Sequence, residues 1–213
     1  MAREFSKNRN LKIVLALLIA GFTLINIFLF GYAVSFFKFQ QVYAVQENIR
    51  YDLLALNLES EFLSECDDFT FATISQELDR AGRDLSLLET RLGKNHPQVL
   101  DEKKKYTILE VQHFLNMKKF EETCEVNLNL IMFFYSNEDD FESEANRIGR
   151  ILSSLKESKP NEVMIYSFDY ELDLRMIDLL KNNYNIDSRN TVLVEETTKI
   201  QNLKNINEIS AIS

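Results

Sequence analysis

The chain has 213 residues, of which 46% are apolar and 27% charged, so it can bury a core and is not a disordered polypeptide. Its net charge of -9 disfavours nucleic-acid binding, because nucleic-acid phosphates would be repelled. Five Gly and two Pro are too few for a loop-rich all-β fold. Two His and two Cys, far apart in the sequence, form no visible zinc-ligand cluster. We therefore expect no nucleic-acid partner, no metal and no cofactor.

The first predicted element is an apolar run without any charge over residues 13–37. As a helix it would be roughly 37 Å long, enough to cross a hydrocarbon core of about 30 Å. Residues 1–12 hold four Lys or Arg against one Glu, so the positive-inside rule predicts a cytoplasmic N-terminus and an extracytoplasmic C-terminal part. The alternative is a cleaved signal peptide, but the run is long and a bulky sequence follows it. We predict an uncleaved single-pass anchor in the cell membrane.

Residues 38–124 predict a helical stalk followed by a helical hairpin. No helix breaker occurs for nearly thirty residues after Lys38, and the apolar residues there have a three-to-four spacing. Such a stalk offers a surface for homo-oligomerisation. Asn26, the strongly polar residue inside the apolar run, is either tolerated on insertion or makes a helix–helix contact.

The hairpin is predicted from its stop and start signals. Asp67 or Asp68 can cap the second helix, and Gly93 is placed to end it. Pro97 suits the first position of a third helix, with Asn95 or His96 near its cap. The residues on the apolar face of that helix are expected to be Val99, Leu100, Tyr106, Leu109, His113 and Leu115. We expect His113 to pack or to form a hydrogen bond there, because no nucleophile lies near it in sequence.

The periodicity changes after Cys124, and residues 125–213 predict a second domain. Strands are expected in VNLNLIMFFYS, EVMIYSFDY and NTVLVEE, and helices at residues 138–158, 173–186 and 203–212. On the middle helix, Met176, Leu179, Leu180 and Tyr184 are expected to face inward. A further strand is expected in TTKIQNL. The order is β-α-β-α-β-α, with a right-handed first crossover.

Three segments carry a resemblance to a known family: FFYSN, IYSFDYELDL and LLETRLGKNHPQVLDEKKKYTILEVQHFL. They resemble membrane-anchored thioredoxin-fold proteins from small-genome archaea, over roughly residues 40–213. The resemblance implies an α/β protein with an N-terminal transmembrane helix, a helical stalk and hairpin layer, and a C-terminal thioredoxin-like βαβαβα domain.

In that family, the strand end FYSN leads into a C-x-x-C pair at the start of the next helix. Alignment on FYSN places those positions at Phe141 and Glu144, and a slip of one residue would place them at Glu142 and Ala145. Asn190 stands where the resemblance implies a cis-proline. A thioredoxin site needs a thiolate of lowered pKa at the helix start and a second thiol to resolve the mixed disulfide. The resemblance therefore implies a redox-inactive domain with no catalytic residue, whose groove holds a peptide or a partner chain.

Acidic residues crowd the start of this helix, namely Glu138, Asp139, Asp140, Glu142 and Glu144. Acids in a first turn stabilise a helix through its dipole. Calcium binding is the alternative, but the glycine and final glutamate of an EF-hand loop are missing. Asp169, Glu171 and Asp173 are interpreted in the same way, as turn and cap residues before metal ligands.

Cys66 and Cys124 flank the two hairpin helices, so an antiparallel arrangement would bring them within disulfide reach. An extracytoplasmic location would favour oxidation. The bond would close a loop of about 58 residues and stabilise the protein by roughly 4 kcal/mol at most. The alternatives are two unrelated buried thiols or a redox pair.

Three functions remain open at this point. The first is a non-catalytic binding or scaffold protein that engages a secreted or membrane protein. The second is a thiol-disulfide oxidoreductase that uses Cys66 and Cys124, although neither lies in a C-x-x-C motif. The third is a structural subunit of a membrane assembly, with Asn26 and the stalk as contacts.

Overall fold

The computed structural model describes residues 12–36, 66, 68–160 and 162–210. The predicted stalk and most of the basic N-terminal segment lie outside the described residues. The chain divides into two units, with the boundary between residues 45 and 46. Within the residues described, the first unit contains helix α1, and the second contains every other element given below.

Helix α1 (Lys12–Phe36) is the predicted apolar element. Its 25 residues are long and apolar enough to cross a membrane, and a helix of this kind fits a signal anchor or a signal peptide. The amide of Asn26 donates a hydrogen bond to the carbonyl of Phe22 at 2.7 Å, so one of its polar groups is satisfied within its own helix.

Helices α2 (Asp68–Leu92) and α3 (Pro97–Cys124) form the predicted hairpin. Gly93 takes a left-handed φ of 92° after α2, a conformation that glycine adopts without steric strain. The side chain of His96 caps α3 by accepting from the backbone N–H of Gln98.

Cys66 and Cys124 are joined by a disulfide with their Cα atoms 5.5 Å apart, so the predicted bond is confirmed. The bond ties a residue two positions before α2 to the last residue of α3. It therefore closes the hairpin at the end opposite its turn.

The remaining elements form an α/β domain. In chain order they are β1 (Asn129–Tyr135), α4 (Asp139–Ser158), β2 (Val163–Asp169), α5 (Arg175–Asn183), β3 (Thr191–Val194), β4 (Thr198–Gln201) and α6 (Asn207–Ser210). The sheet has the order β2-β1-β3-β4, with β1 parallel to β2 and the other pairs antiparallel. The fold class is α/β as predicted, and β4 is the strand expected in TTKIQNL.

Alternate residues of the central strand β1 face two different layers. Ile131 and Phe133 pack with Ile148 and Leu152 of α4. The opposite face of the sheet carries Tyr166 of β2, whose ring packs edge-on against Phe114 of α3 with the ring centroids 5.4 Å apart. Helices α3 and α4 therefore cover opposite faces of one sheet.

Helix α2 contacts the helices on both faces of the sheet. It packs along α3, and its Asp79 forms an ion pair with Lys156 of α4 at 2.5 Å. An outward N–H of β2, that of Ser167, donates to the carboxylate of Glu110 at 2.8 Å. The hairpin thus protects the edge strand from pairing with another chain.

Two predicted orientations on the helices are wrong. Leu115 of α3 is 57% exposed and Leu179 of α5 is 49% exposed, although both were expected to face inward. Helix α3 lies between α2 and the sheet, so it buries charged residues as well as apolar ones. Helix α5 has only nine residues and buries Leu180, as expected, together with Ile177, which was not expected to face inward.

Candidate functional site at the start of α4

Asn190 connects the three segments that meet at the start of α4. Its side-chain oxygen accepts a hydrogen bond from the backbone N–H of Ser136, just after β1, at 3.1 Å. Its side-chain nitrogen donates to the carbonyl of Phe141 and to the carboxylate of Glu144, both at 3.0 Å. The three positions that the resemblance singled out, Phe141, Glu144 and Asn190, therefore lie together.

The backbone at Asn190 explains why asparagine occupies this position. Its φ is 54°, in the left-handed region, where asparagine is one of the few tolerated residues other than glycine. Proline has φ fixed near −65° and cannot adopt this conformation. The segment before β3 is therefore built around the asparagine, whose side chain makes three hydrogen bonds.

Arg189, the residue before Asn190, contacts the same region through its guanidinium group. We call this group and its partners Phe141, Tyr170, Glu138 and Glu171 the Arg189 clamp. The guanidinium carbon lies 5.0 Å from the ring centre of Phe141 and 5.4 Å from that of Tyr170. The same group is 2.6 Å from the carboxylate of Glu171 and 3.2 Å from that of Glu138. Planar guanidinium groups favour this combination of ring stacking and carboxylate pairing.

Three of the five acidic residues at the start of α4 are engaged by different partners. Glu138 pairs with Arg189, and Glu142 pairs with Lys94 at 2.6 Å. The hydrogen bond from Lys94 lowers the pKa of Glu142 below its usual range. Glu144 is held by Asn190. These carboxylates point to different partners, which supports the interpretation as helix and loop stabilisers over calcium ligands.

A buried ionic network fixes the end of β2 beside this site. Lys103 of α3 lies 3.1 Å from the carboxylate of Asp169 and 2.9 Å from that of Glu89 of α2. The same Asp169 oxygen accepts from the side chain of Asn137, and its other oxygen accepts from the N–H of Glu171. Asp169 thus organises a turn, as the sequence predicted, and also binds the hairpin to the sheet.

A second buried polar group connects α3 to β2 near the middle of both elements. The Nδ1 atom of His113 is 3.0 Å from the hydroxyl of Tyr166. Burial, with a smaller contribution from Lys156, lowers the pKa of His113 to about 3, so its ring is neutral at physiological pH. Burial raises the pKa of Glu110, one helical turn away, well above its usual value. His113 therefore forms a hydrogen bond in the core, as expected.

The disulfide lies far from the start of α4. Lys94, which contacts Glu142, follows α2, whereas Cys66 precedes that helix. The 25 residues of α2 correspond to roughly 37 Å of helix. Both cysteines of the chain are consumed in this bond, so the start of α4 has no sulfur atom for thiol exchange. It offers aromatic, amide and ionic groups instead.

The clamp and the Lys103 network were not predicted from the sequence. Arg189 precedes the singled-out Asn190 and has no periodic relation to Phe141 or Tyr170. Lys103 lies in the charged run DEKKK, which is typical of a solvated helix face. For the clamp, the one signal available in the sequence was Tyr170, an aromatic residue between two acidic residues in FDYELD.

Comparisons with protein-family models, with curated proteins and with solved structures find no match for this chain.

Proposed function

We propose that this protein is a single-pass, membrane-anchored protein whose C-terminal domain is thioredoxin-like but redox-inactive, and which acts as an extracytoplasmic binding or scaffold module. Helix α1 serves as the uncleaved anchor, and the α/β domain engages a secreted protein or another membrane protein.

The convergence of Phe141, Glu144 and Asn190 carries this proposal. The resemblance assigned Phe141 and Glu144 to the redox pair and Asn190 to the substrate-holding proline. The pair and the proline are widely separated in the sequence. Hydrogen bonds from one side chain now link all three. The central place of β1 in the sheet and the start of α4 two residues before Phe141 support the same alignment.

The location outside the cytoplasm rests on two features. The basic residues before α1 favour a cytoplasmic N-terminus. The Cys66–Cys124 bond favours an oxidising compartment, since cytosolic thiols are kept reduced. The two arguments are independent of each other and give the same orientation.

The binding surface is proposed to be the rim of the Arg189 clamp. Phe141 and Tyr170 present aromatic rings, and residues of this type and Arg are enriched at protein interfaces. The guanidinium of Arg189, which is close to both rings, already has two carboxylate partners. A partner chain therefore binds over a preorganised surface and does not have to order a loop first.

Photo-crosslinking from native membranes tests the binding role. A photoreactive residue at the exposed Asp140, in the first turn of α4, is expected to capture a defined protein partner. The same residue at the exposed Glu157, at the far end of α4, serves as the matched control. Equal capture from both positions, or from neither, contradicts the proposed surface.

An insulin-reduction assay separates the binding module from the oxidoreductase. We expect no activity from the wild-type protein. We expect measurable activity from Phe141→Cys combined with Glu144→Cys in a Cys66→Ser, Cys124→Ser background, because this restores two thiols one helical turn apart at a helix start. Wild-type activity that Cys66→Ser abolishes would establish the oxidoreductase alternative.

A further inference from the structure

A cavity of about 550 Å³ lies beside α4, apart from the Arg189 clamp. It is bounded by α4, by one face of β1 and β2, and by the C-terminal end of α2. Its volume falls within the range of about 300 to 1,000 Å³ that is typical of small-molecule sites. Phe133 and Ile165 of the sheet and Leu152 of α4 give it an apolar floor.

Gly149 keeps one wall of the cavity open. It lies in the interior of α4, where glycine is less favourable than alanine by about 1 kcal/mol. A Cβ atom added at this position would meet nothing within 4 Å, so neither close packing nor an unusual backbone conformation requires the glycine. The bare wall enlarges the cavity at the expense of helix stability.

The charges around the cavity are mostly paired. Lys94 pairs with Glu142, Lys156 pairs with Asp79, and Glu89 pairs with Lys103. Arg150, which also lines the cavity, is exposed to solvent and forms no ion pair or hydrogen bond with the part of the chain that the structure describes. Among the described residues that line the cavity, Arg150 is therefore the one cation without a carboxylate partner.

Polar donors flank this arginine along the same side of α4. Asn146 lies four residues before it and Ser153 three residues after it, and both line the cavity. Residues at these spacings are neighbours on a helix surface. A guanidinium with an amide on one side and a hydroxyl on the other suits the oxygen atoms of a carboxylate or phosphate group.

We propose that this cavity binds a small organic molecule that carries an oxyanion, with Arg150 as the residue that recognises the anionic group. Asn146 and Ser153 supply further hydrogen bonds, and the floor of Phe133 and Ile165 receives the apolar body of the ligand. The site lies along the side of α4 and does not use the Arg189 clamp. The proposal of a ligand site therefore does not depend on the proposed binding function.

Calorimetric titration of the full-length protein in lipid nanodiscs tests the site with three probes of similar shape. Benzoate and phenyl phosphate carry the two oxyanions, and benzamide is the neutral match. We expect a Kd below about 10 mM for at least one anion and binding at least tenfold weaker for benzamide. The preferred anion distinguishes a carboxylate ligand from a phosphate ligand.

Variants identify the location of binding. Arg150→Met is expected to weaken anion binding about tenfold or more, and Gly149→Leu is expected to abolish it by filling the cavity. Arg80→Met removes an exposed arginine from α2 outside the cavity and is expected to leave binding unchanged. Failure of both anions to bind, equal binding of benzamide, or equal effects of Arg150→Met and Arg80→Met would overturn the proposal.

Discussion

The side-chain amide of Asn190 holds the carboxylate of Glu144 at 3.0 Å, although 46 residues separate them in the sequence. Asn190 is 1% exposed, whereas the Glu144 side chain is 35% exposed, so this contact is buried on the side of the amide and partly open to water on the side of the carboxylate. A side chain just before β3 thereby fixes the first turns of α4. The geometry at this site is consequently sensitive to the chemistry of a single amide.

Replacement of Asn190 is expected to destabilise the domain. Asn190→Ala removes three hydrogen bonds from a buried site and leaves a residue with Cβ at positive φ, so we expect a loss of about 2 to 4 kcal/mol in the free energy of unfolding. Asn190→Gly should lose roughly 1 kcal/mol less, because glycine tolerates that φ. Urea unfolding followed by circular dichroism measures both values.

A matched control isolates the hydrogen bonds. Asn185 also has a positive φ, of 52°, but it is exposed. Asn185→Ala should therefore show only the backbone term, about 1 to 2 kcal/mol. Equal losses for Asn190→Ala and Asn185→Ala would mean that the three hydrogen bonds contribute nothing.

Removal of the Lys103 cation is expected to be strongly destabilising. Lys103→Met would leave Asp169 buried without its cation, and an uncompensated buried charge costs about 3 to 5 kcal/mol. The adjacent Lys104, whose pair with Asp173 is at the surface, provides the control. Lys104→Met should change the free energy of unfolding by less than about 1 kcal/mol. Similar effects for both variants would contradict a structural role for the buried network.

The low pKa of His113 predicts an acid-sensitive contribution to stability. Between pH 6.5 and about 3, the unfolded chain binds a proton at this histidine and the folded chain does not. The free energy of unfolding therefore falls as the pH is lowered, by up to about 1.4 kcal/mol per pH unit from this group. The raised pKa of Glu110 acts in the opposite direction, with stability lost as the pH rises above 4.5, so the wild type must be compared with a variant.

His113→Gln removes the titrating ring. We expect the wild type to be the more stable protein at pH 7.5 and its advantage to shrink steadily between pH 6.5 and pH 5. Thermal unfolding across this range provides the measurement, and His96→Gln, at the exposed cap of α3, is the control. An advantage that stays constant with pH would show that His113 becomes protonated in the folded protein.

Two glycines are expected to respond oppositely to alanine. A Cβ at Gly82 would lie 2.8 Å from the hydroxyl oxygen of Tyr106, so Gly82→Ala should destabilise the hairpin by about 1 to 3 kcal/mol. Gly149→Ala should stabilise the domain by about 0.5 to 1 kcal/mol. Tyr106→Phe should rescue part of the Gly82→Ala loss in a double-mutant cycle. Purely additive effects would contradict the close contact between α2 and α3.

The regular elements of the second unit were predictable because their signals are local. Gly93, Pro97 and the change of period after Cys124 depend only on neighbouring residues. The weak strand β4 was found from the short run TTKIQNL, and Cys66 and Cys124 could be paired because antiparallel helices bring opposite ends together.

The interior of the hairpin was harder to predict, because burial on two sides removes the periodic pattern. Helix α3 buries Glu102, Lys103 and Glu110, which a reading of hydrophobic periodicity assigns to solvent. The Arg189 clamp was missed for a related reason. Its partners come from two segments that are far from Arg189 in the sequence, and only the folded chain brings the rings of Phe141 and Tyr170 close to one guanidinium.

The bond between Cys66 and Cys124 has a consequence for proteolysis. A cut anywhere between these residues, such as in the turn from Leu92 to Pro97, divides the polypeptide but leaves both fragments covalently attached. The C-terminal fragment would stay attached to the N-terminal fragment until a reductant reached the sulfur atoms. Release of the α/β domain by a single cut therefore requires cleavage outside the loop between residues 66 and 124, or reduction of the bond.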